Sequence, residues 1–483
     1  METKAQNIGK FVRNLSFEKI PNTVVKKAKD EILGVLGAMY AGSNTLAAKI
    51  LKKCTLENFN GAKDATIFPS GDKTSLENAV YINAASTIAL DYVDYLYAGH
   101  TGVSAVNVSL ALGEKYGING KELLTNVIIG NEIAGRVGAS VIIGPLNGQT
   151  LSFIHLASSA CITGRILGSS EEQIANSLGI AYAIPTTCSY RGFMGPMAKL
   201  LTAAVPAKIG IHSAYLAKEG FTGALDIFEN PVGWCNFNAD VPLTNFIDVS
   251  LGKFWVTETI CYKIYPGCAY IDPMCDCILE ILQKNPDLDY HEIEKIDVSG
   301  TILMPTMDDL SRPFTNLEEI KRTKSHVALN FSIPYNVAVM LIDKKLTPAQ
   351  FTEERILDPE IQDLSKKVQL SMDIGLTAKT AGIASGLSGS TEDLKLQSGD
   401  EKKFRMYFGG KVVIKMKNGK KYKAKQEEPL GTPGNPYPIE NKFKQEAKYI
   451  KMQDDQISKV INIVQNLEKL DNINELISLL SLN

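Results

Sequence analysis

Apolar residues recur at helical spacing through the first half of the chain. Val25, Ala28, Ile32, Val35, Leu36 and Met39 form one stripe with Gly42 just beyond it, which predicts a core-facing helix. In LENAVYINAASTIALDYVD, residues Ala79, Ile82, Ala85, Ile88, Leu90 and Val93 continue the pattern, so a second helix is expected to run through Asp91 and Asp94. These two aspartates, three apart, would then share a face. Ala98-Gly99 would end the helix and leave His100 in the connection. VSAVNVSLALGEKYG predicts another apolar helix. Asn119 with Glu122, and Ser170 with Gln173, have the form of capping boxes at two further helix starts. In LSFIHLASSACITGRILG, His155 sits among small apolar residues and reads as a buried, hydrogen-bonded histidine. Pro206 would open or interrupt a helix running to Gly220. Helix thus follows helix to about residue 250, and abundant Ala, Gly and Ser would let them pack closely.

The pattern changes near residue 257. Asp272-Pro273 reads as an N-cap and first-turn proline for MCDCILEILQ. Ile296, Val298 and Ile302 are evenly spaced, as in a strand, and Val368, Leu370 and Met372 alternate in the same way. Thr347, Pro348 and Gln350 form another capping box. KVVIKMKNGKKYKAKQ predicts a hairpin: Val412, Ile414 and Met416 point one way, and Asn418-Gly419 makes the turn. After the proline- and glycine-rich EEPLGTPGNPYPIENKF, Ile457, Val460, Ile461, Val464 and Leu467 return to helical spacing, and Asn472 with Glu475 would cap a last short helix. The fold class is therefore mainly α with an α+β second domain. The expected division is a helical domain over 1–256, an α/β module over 257–426, and helices over 427–483 that pack back on the first domain.

Composition narrows the function classes. The 483 residues are 45% hydrophobic, enough to bury a large core. Lys plus Arg total 51 against 53 acidic residues, so no net field favours nucleic acid or an anionic membrane. The lysines of 411–425 alternate as on the solvated face of a strand. No run approaches eighteen apolar residues and METKAQNIGKFVRN lacks an apolar signal core, so a cytoplasmic protein is expected. Four of eight cysteines, 261, 268, 275 and 277, are crowded together, but no C-x-x-C pair is present and no metal site is predicted.

Two stretches carry candidate chemistry. Asp91, Asp94 and His100 are the densest titratable group in an apolar stretch. In SYRGFMGPMAKLL, Gly192, Gly195 and Pro196 interrupt helix between Arg191 and Lys199. A lysine at a helix start opposes the helix dipole, which makes Lys199 a candidate for anion binding or proton transfer.

ALDYVDYLYAGHTG, NGKELLTNVIIGNEIAGRVG, AKLLTAAVPAKIGIHSAYLAKEGFTGALDIFENPVGW, YKIYPGCAYIDP, SIPYNVAVML and GTPGNPYPIENKF resemble, in order, segments of the MmgE/PrpD family. That family includes 2-methylcitrate dehydratase, cis-aconitate decarboxylase and iminodisuccinate epimerase. The resemblance implies a helical domain built from both chain ends, a smaller α/β lid, a homodimer, and an active site between the domains that uses no metal or cofactor. Its substrates would be small di- or tricarboxylates. Asp91, His100, Lys199 and Tyr335 match the family's catalytic positions. Asp94, Arg191, Thr202, Gln149 and Asp272 are expected to bind substrate, with Arg191 suited to a carboxylate. Val93, Tyr95 and Thr202 depart from the family's acidic residue, threonine and histidine, and Gln149 and Asp272 stand where many members have histidines. Asp272 thus has two readings, helix cap and site residue. The chemistry expected is that of a lyase, by dehydration or decarboxylation. A two-base epimerase and a non-catalytic carboxylate-binding relative are the alternatives.

Overall fold

The computed structural model describes residues 2–97, 99–144, 150–387 and 408–482. The chain is mainly helical with small sheets. The helix Asn22–Ser43 lies at the centre of the helical part and packs against Leu76–Ile88 on one side and Ile439–Tyr449 on another. Its stripe of Val25, Ala28, Ile32, Val35, Leu36 and Met39 is buried. Ile154–Ile166 is a second hub, contacting Gly102–Tyr116, Gly120–Ser140, Glu171–Ala183 and Leu201–Lys218. The Asn119/Glu122 and Ser170/Gln173 boxes form at the starts of two of these helices. Leu201–Lys218 continues through Pro206 rather than starting or breaking there.

The last helices, Ile439–Tyr449, Asp454–Gln465 and Asn474–Leu479, rejoin the early ones. A buried ion pair, Lys442 Nζ to Glu446 Oε1 at 2.7 Å, lies on Asn22–Ser43. The approach is close enough that a Cβ at Gly37 would lie 1.8 Å from Glu446 Oε2, so any side chain there would displace the Glu446 carboxylate.

Strands β1 (Ala65–Ile67) and β2 (Asp72–Thr74) form a small hairpin. Strand β3 (Asp94–Tyr95) pairs with β4 (Cys261–Tyr262), with Asp94 opposite Tyr262. The larger sheet has the order β6 (Val368–Met372), β5 (Ile293–Gly300), β7 (Gly410–Met416), β8 (Lys421–Gln426). β5 runs parallel to β6 and antiparallel to β7, with Ile296 opposite Ile414 and Val298 opposite Val412. These residues bury one face against Asp272–Lys284 while Lys411, Lys421 and Lys423 stay in solvent, as the alternation predicts. The hairpin turns at Asn418-Gly419, where Gly419 has φ +83°.

Several local expectations are corrected. The helix toward the aspartates ends at Ile88, so Asp91 and Asp94 do not share a helical face. The apolar periodicity past Ile88 belongs to a buried turn: Gly267 N donates to Leu90 O at 2.9 Å and Asn330 Nδ2 to Ala89 O at 3.0 Å. These outside donors satisfy carbonyls that a longer helix would have used. Ile302 lies beyond the end of β5. Asp272 is the first residue of its helix, not the cap, which is Ile271. Asn472 accepts from Asn474 N at 2.8 Å without forming the box expected with Glu475.

Candidate active site

The site is built around Asp91. Leaving the helix, the chain turns through a left-handed conformation at Asp91, φ +51°, one that aspartate tolerates better than most residues. The turn buries its carboxylate among three basic groups. Asp91 Oδ1 lies 3.2 Å from Lys263 Nζ, 3.3 Å from His100 Nε2 and 3.5 Å from Lys199 Nζ. Lys263 Nζ also donates to the Asp91 carbonyl at 2.8 Å. Asp91 and both lysines are buried, whereas the His100 side chain is 16% exposed and forms the open edge of the cluster. Burial alone would raise the Asp91 pKa. The charges of Lys199, Lys263 and His100 outweigh it and hold the carboxyl well below its usual range.

Lys199 arrives from the 3-10 turn Met197–Leu200 that precedes Leu201–Lys218. Its ammonium lies 4.9 Å from the Phe331 ring centroid and 5.5 Å from that of Phe193, and among the described residues its approach to an acceptor is the 3.5 Å one to Asp91 Oδ1. Burial lowers its pKa, with Asp91 opposing and Lys263 adding to the shift. Lys263 follows β4, so the β3/β4 pairing sets it against the Asp91–His100 turn. His100 is held at its other nitrogen, Nδ1, by the Asp94 carbonyl at 2.8 Å. The imidazole thus lies between two acceptors, and donates to both only as the imidazolium.

Other predicted residues are placed as follows. Asp94 is buried beside the cluster, and its Oδ2 accepts from Gly102 N at 3.1 Å. Thr202 turns its hydroxyl back to the Lys199 carbonyl at 2.7 Å. Asp272 is buried, and Oδ2 accepts from Ile264 N at 3.2 Å. Burial and Asp276 push its carboxyl well above the usual range, with Lys263 opposing. Arg191 is exposed, with its guanidinium 4.4 Å from the Phe314 ring centroid. Tyr335 is not brought to the cluster: its buried hydroxyl donates to the Gln350 carbonyl, with Arg355 and Asp343 as its charged neighbours. Gln149 lies outside the described residues.

The MmgE/PrpD N-terminal domain model matches residues 6–243, and the MmgE/PrpD C-terminal domain model matches residues 265–469. The chain belongs to the MmgE/PrpD family. Among curated MmgE/PrpD relatives, it is 24% identical over 495 residues to the cis-aconitate decarboxylase of Aspergillus terreus (strain NIH 2624 / FGSC A1156), covering 98% of this chain and 94% of that protein. It is 22% identical over 390 residues to the cis-aconitate decarboxylase of Homo sapiens, covering 77% of each. The Mus musculus enzyme of that name is 21% identical over 397 residues, covering 77% of this chain and 76% of the relative.

In this MmgE/PrpD chain, Lys263 is the residue that sequence reasoning passed over. It is a lone charge in CYKIYPGC, and a charge inside an apolar run is the signal that could have marked it. Cys268, weighed earlier only as a metal ligand, instead faces Asp91 and the two lysines. Burial and Asp91 push its thiol up to about 11 while the lysines oppose them. His155 is the buried histidine expected: Nδ1 pairs with Ser104 Oγ at 2.9 Å, and burial, with His100 nearby, depresses its pKa to about 3.

Proposed function

We propose that this chain is a lyase that decarboxylates a small unsaturated di- or tricarboxylate at the Asp91, His100, Lys199 and Lys263 cluster. The carrying observation is that one buried carboxylate faces two buried ammonium groups and an imidazole. That excess of positive charge suits a bound anion, and Lys199 has only a long 3.5 Å approach to Asp91 Oδ1 among the described residues. When the bond to the departing carboxylate breaks, its electron pair stays on carbon and carbon dioxide leaves. Conjugation with a remaining carboxylate spreads that charge, and Lys199 and Lys263 stabilise it electrostatically. His100, at the open edge, gives its Nε2 proton to the carbanion and recovers one from water. Asp91 orients His100 and keeps both ammonium groups in place. The relatives named as cis-aconitate decarboxylases support this reaction over dehydration or epimerisation.

The test is incubation with cis-aconitate and a panel of di- and tricarboxylates in deuterated water, followed by proton NMR and trapping of carbon dioxide. The expected result is one carbon dioxide released per product and one deuterium incorporated. Hydration or dehydration without carbon dioxide, or exchange without a new product, would overturn the assignment.

A further inference from the structure

Behind His100 lies a pair of acids that the proposed reaction does not use. Glu31, on Asn22–Ser43, is fully buried, and Asp94, on β3, is 3% exposed. One oxygen of each has a donor: Glu31 Oε2 accepts from Asn131 Nδ2, and Asp94 Oδ2 from Gly102 N. The other two, Glu31 Oε1 and Asp94 Oδ1, are buried with no hydrogen-bond donor among the described residues. Both press on Gly102: a Cβ there would lie 2.4 Å from Asp94 Oδ1 and 2.8 Å from Glu31 Oε1. Two carboxylate oxygens packed against one Cα, away from water, repel unless a proton lies between them.

We propose that Glu31 and Asp94 share one proton, and that this acid pair positions His100. The reading rests on His100 being the proton donor of the proposed site. The pair fixes both ends of the turn from Asp94 to Gly102, and the Asp94 carbonyl holds His100 Nδ1 so that Nε2 faces Asp91. If both acids ionised, their repulsion would open this turn and release the imidazole. Lys27 on the same helix, Lys263 after β4, His100 on the turn and Lys442 from Ile439–Tyr449 surround the pair and favour ionisation, and Tyr262 faces it from β4. Burial outweighs them and raises both acids, and for Glu31 the charge of Asp94 adds to it. Neither acid contacts the reacting atoms, so both are positioning residues.

Glu31→Gln imitates the protonated acid, since an amide accepts from Asn131 and donates to Asp94 Oδ1. Glu31→Ala removes that donor. The infrared difference spectrum of the intact protein, wild type minus Glu31→Gln, is expected to contain a carboxylic-acid carbonyl band at neutral pH that fades as the pH rises. The hydrogen bond from His100 Nδ1 to the Asp94 carbonyl, followed by nitrogen NMR, should be lost over the same pH range in the wild type and retained in Glu31→Gln. Glu31→Ala should lower kcat at least tenfold with KM within threefold, and Glu31→Gln should recover most of that loss. Absence of the acid band would overturn the proposal, even if Glu31→Ala does not fold. A wild-type His100 spectrum in Glu31→Ala would overturn the positioning role. Should no carboxylate turn over, the reaction assignment fails, while the infrared and NMR results still decide the pair.

Discussion

Asp91→Asn removes one negative charge and little else. Asparagine accepts φ +51° as readily as aspartate, so the backbone turn is not strained by the change. At 3.2 Å a single ion pair is worth about 5 kcal/mol at an effective dielectric of 20. Repulsion between the lysines and the cost of dehydrating each charge offset much of this, and removing one member of a buried pair costs about 3–5 kcal/mol. The loss should depend on pH. Without Asp91, the pKa of Lys199, already lowered by burial, falls further, so the folded variant binds fewer protons than its unfolded chain. Stability of Asp91→Asn relative to wild type therefore rises as the pH climbs toward the ordinary lysine pKa of about 10.4. Urea unfolding from pH 6.5 to 9.5 measures this directly. A penalty of several kcal/mol near pH 6.5 that shrinks with pH is expected. A penalty below about 1 kcal/mol, or one that grows with pH, would refute the buried-charge account of the cluster.

Lys199→Ala should lower decarboxylation at least tenfold without unfolding the protein, because Asp91 keeps Lys263 and His100 as partners; circular dichroism with carbon dioxide release checks both. Tyr335→Phe should cost about 1 kcal/mol of stability through the lost bond to the Gln350 carbonyl and leave turnover within threefold. A tenfold fall in turnover would return Tyr335 to the site. Asp272 has a raised folded pKa, so the wild type loses stability as the pH rises from about 4 toward that pKa. Asp272→Asn removes this dependence, and the variant should gain on wild type in thermal midpoint across that window; parallel pH profiles would count against it.

Features settled by neighbours in the chain were legible in the sequence. The Asn119/Glu122 and Ser170/Gln173 boxes and the Asn418-Gly419 hairpin each depend on a few adjacent residues, and the structure forms them. Features settled across the chain were not. Leu90 and Val93 extend the helical period, yet Ala89 and Leu90 give their carbonyls to Asn330 and Gly267, so the chain leaves the helix earlier. Of the expected site residues, Asp91, His100 and Lys199 meet, while Tyr335 spends its hydroxyl elsewhere. A lone charge in an apolar run could flag Lys263, but its partner could not be read locally, since that carboxylate lies 172 residues away. Asp94 is buried at the site, but its carboxyl turns toward Glu31, which no local pattern connects to it.

The tight seat of Glu446 against Gly37 also has a consequence for synthesis. The helix that covers residues 22–43, Ile439–Tyr449, is made some 400 residues after them. At about 10 residues per second that delay is roughly 40 s. Throughout it the Asn22–Ser43 helix, which also carries Glu31, has an uncovered apolar flank. The centre of the protein therefore closes only when Ile439–Tyr449 arrives.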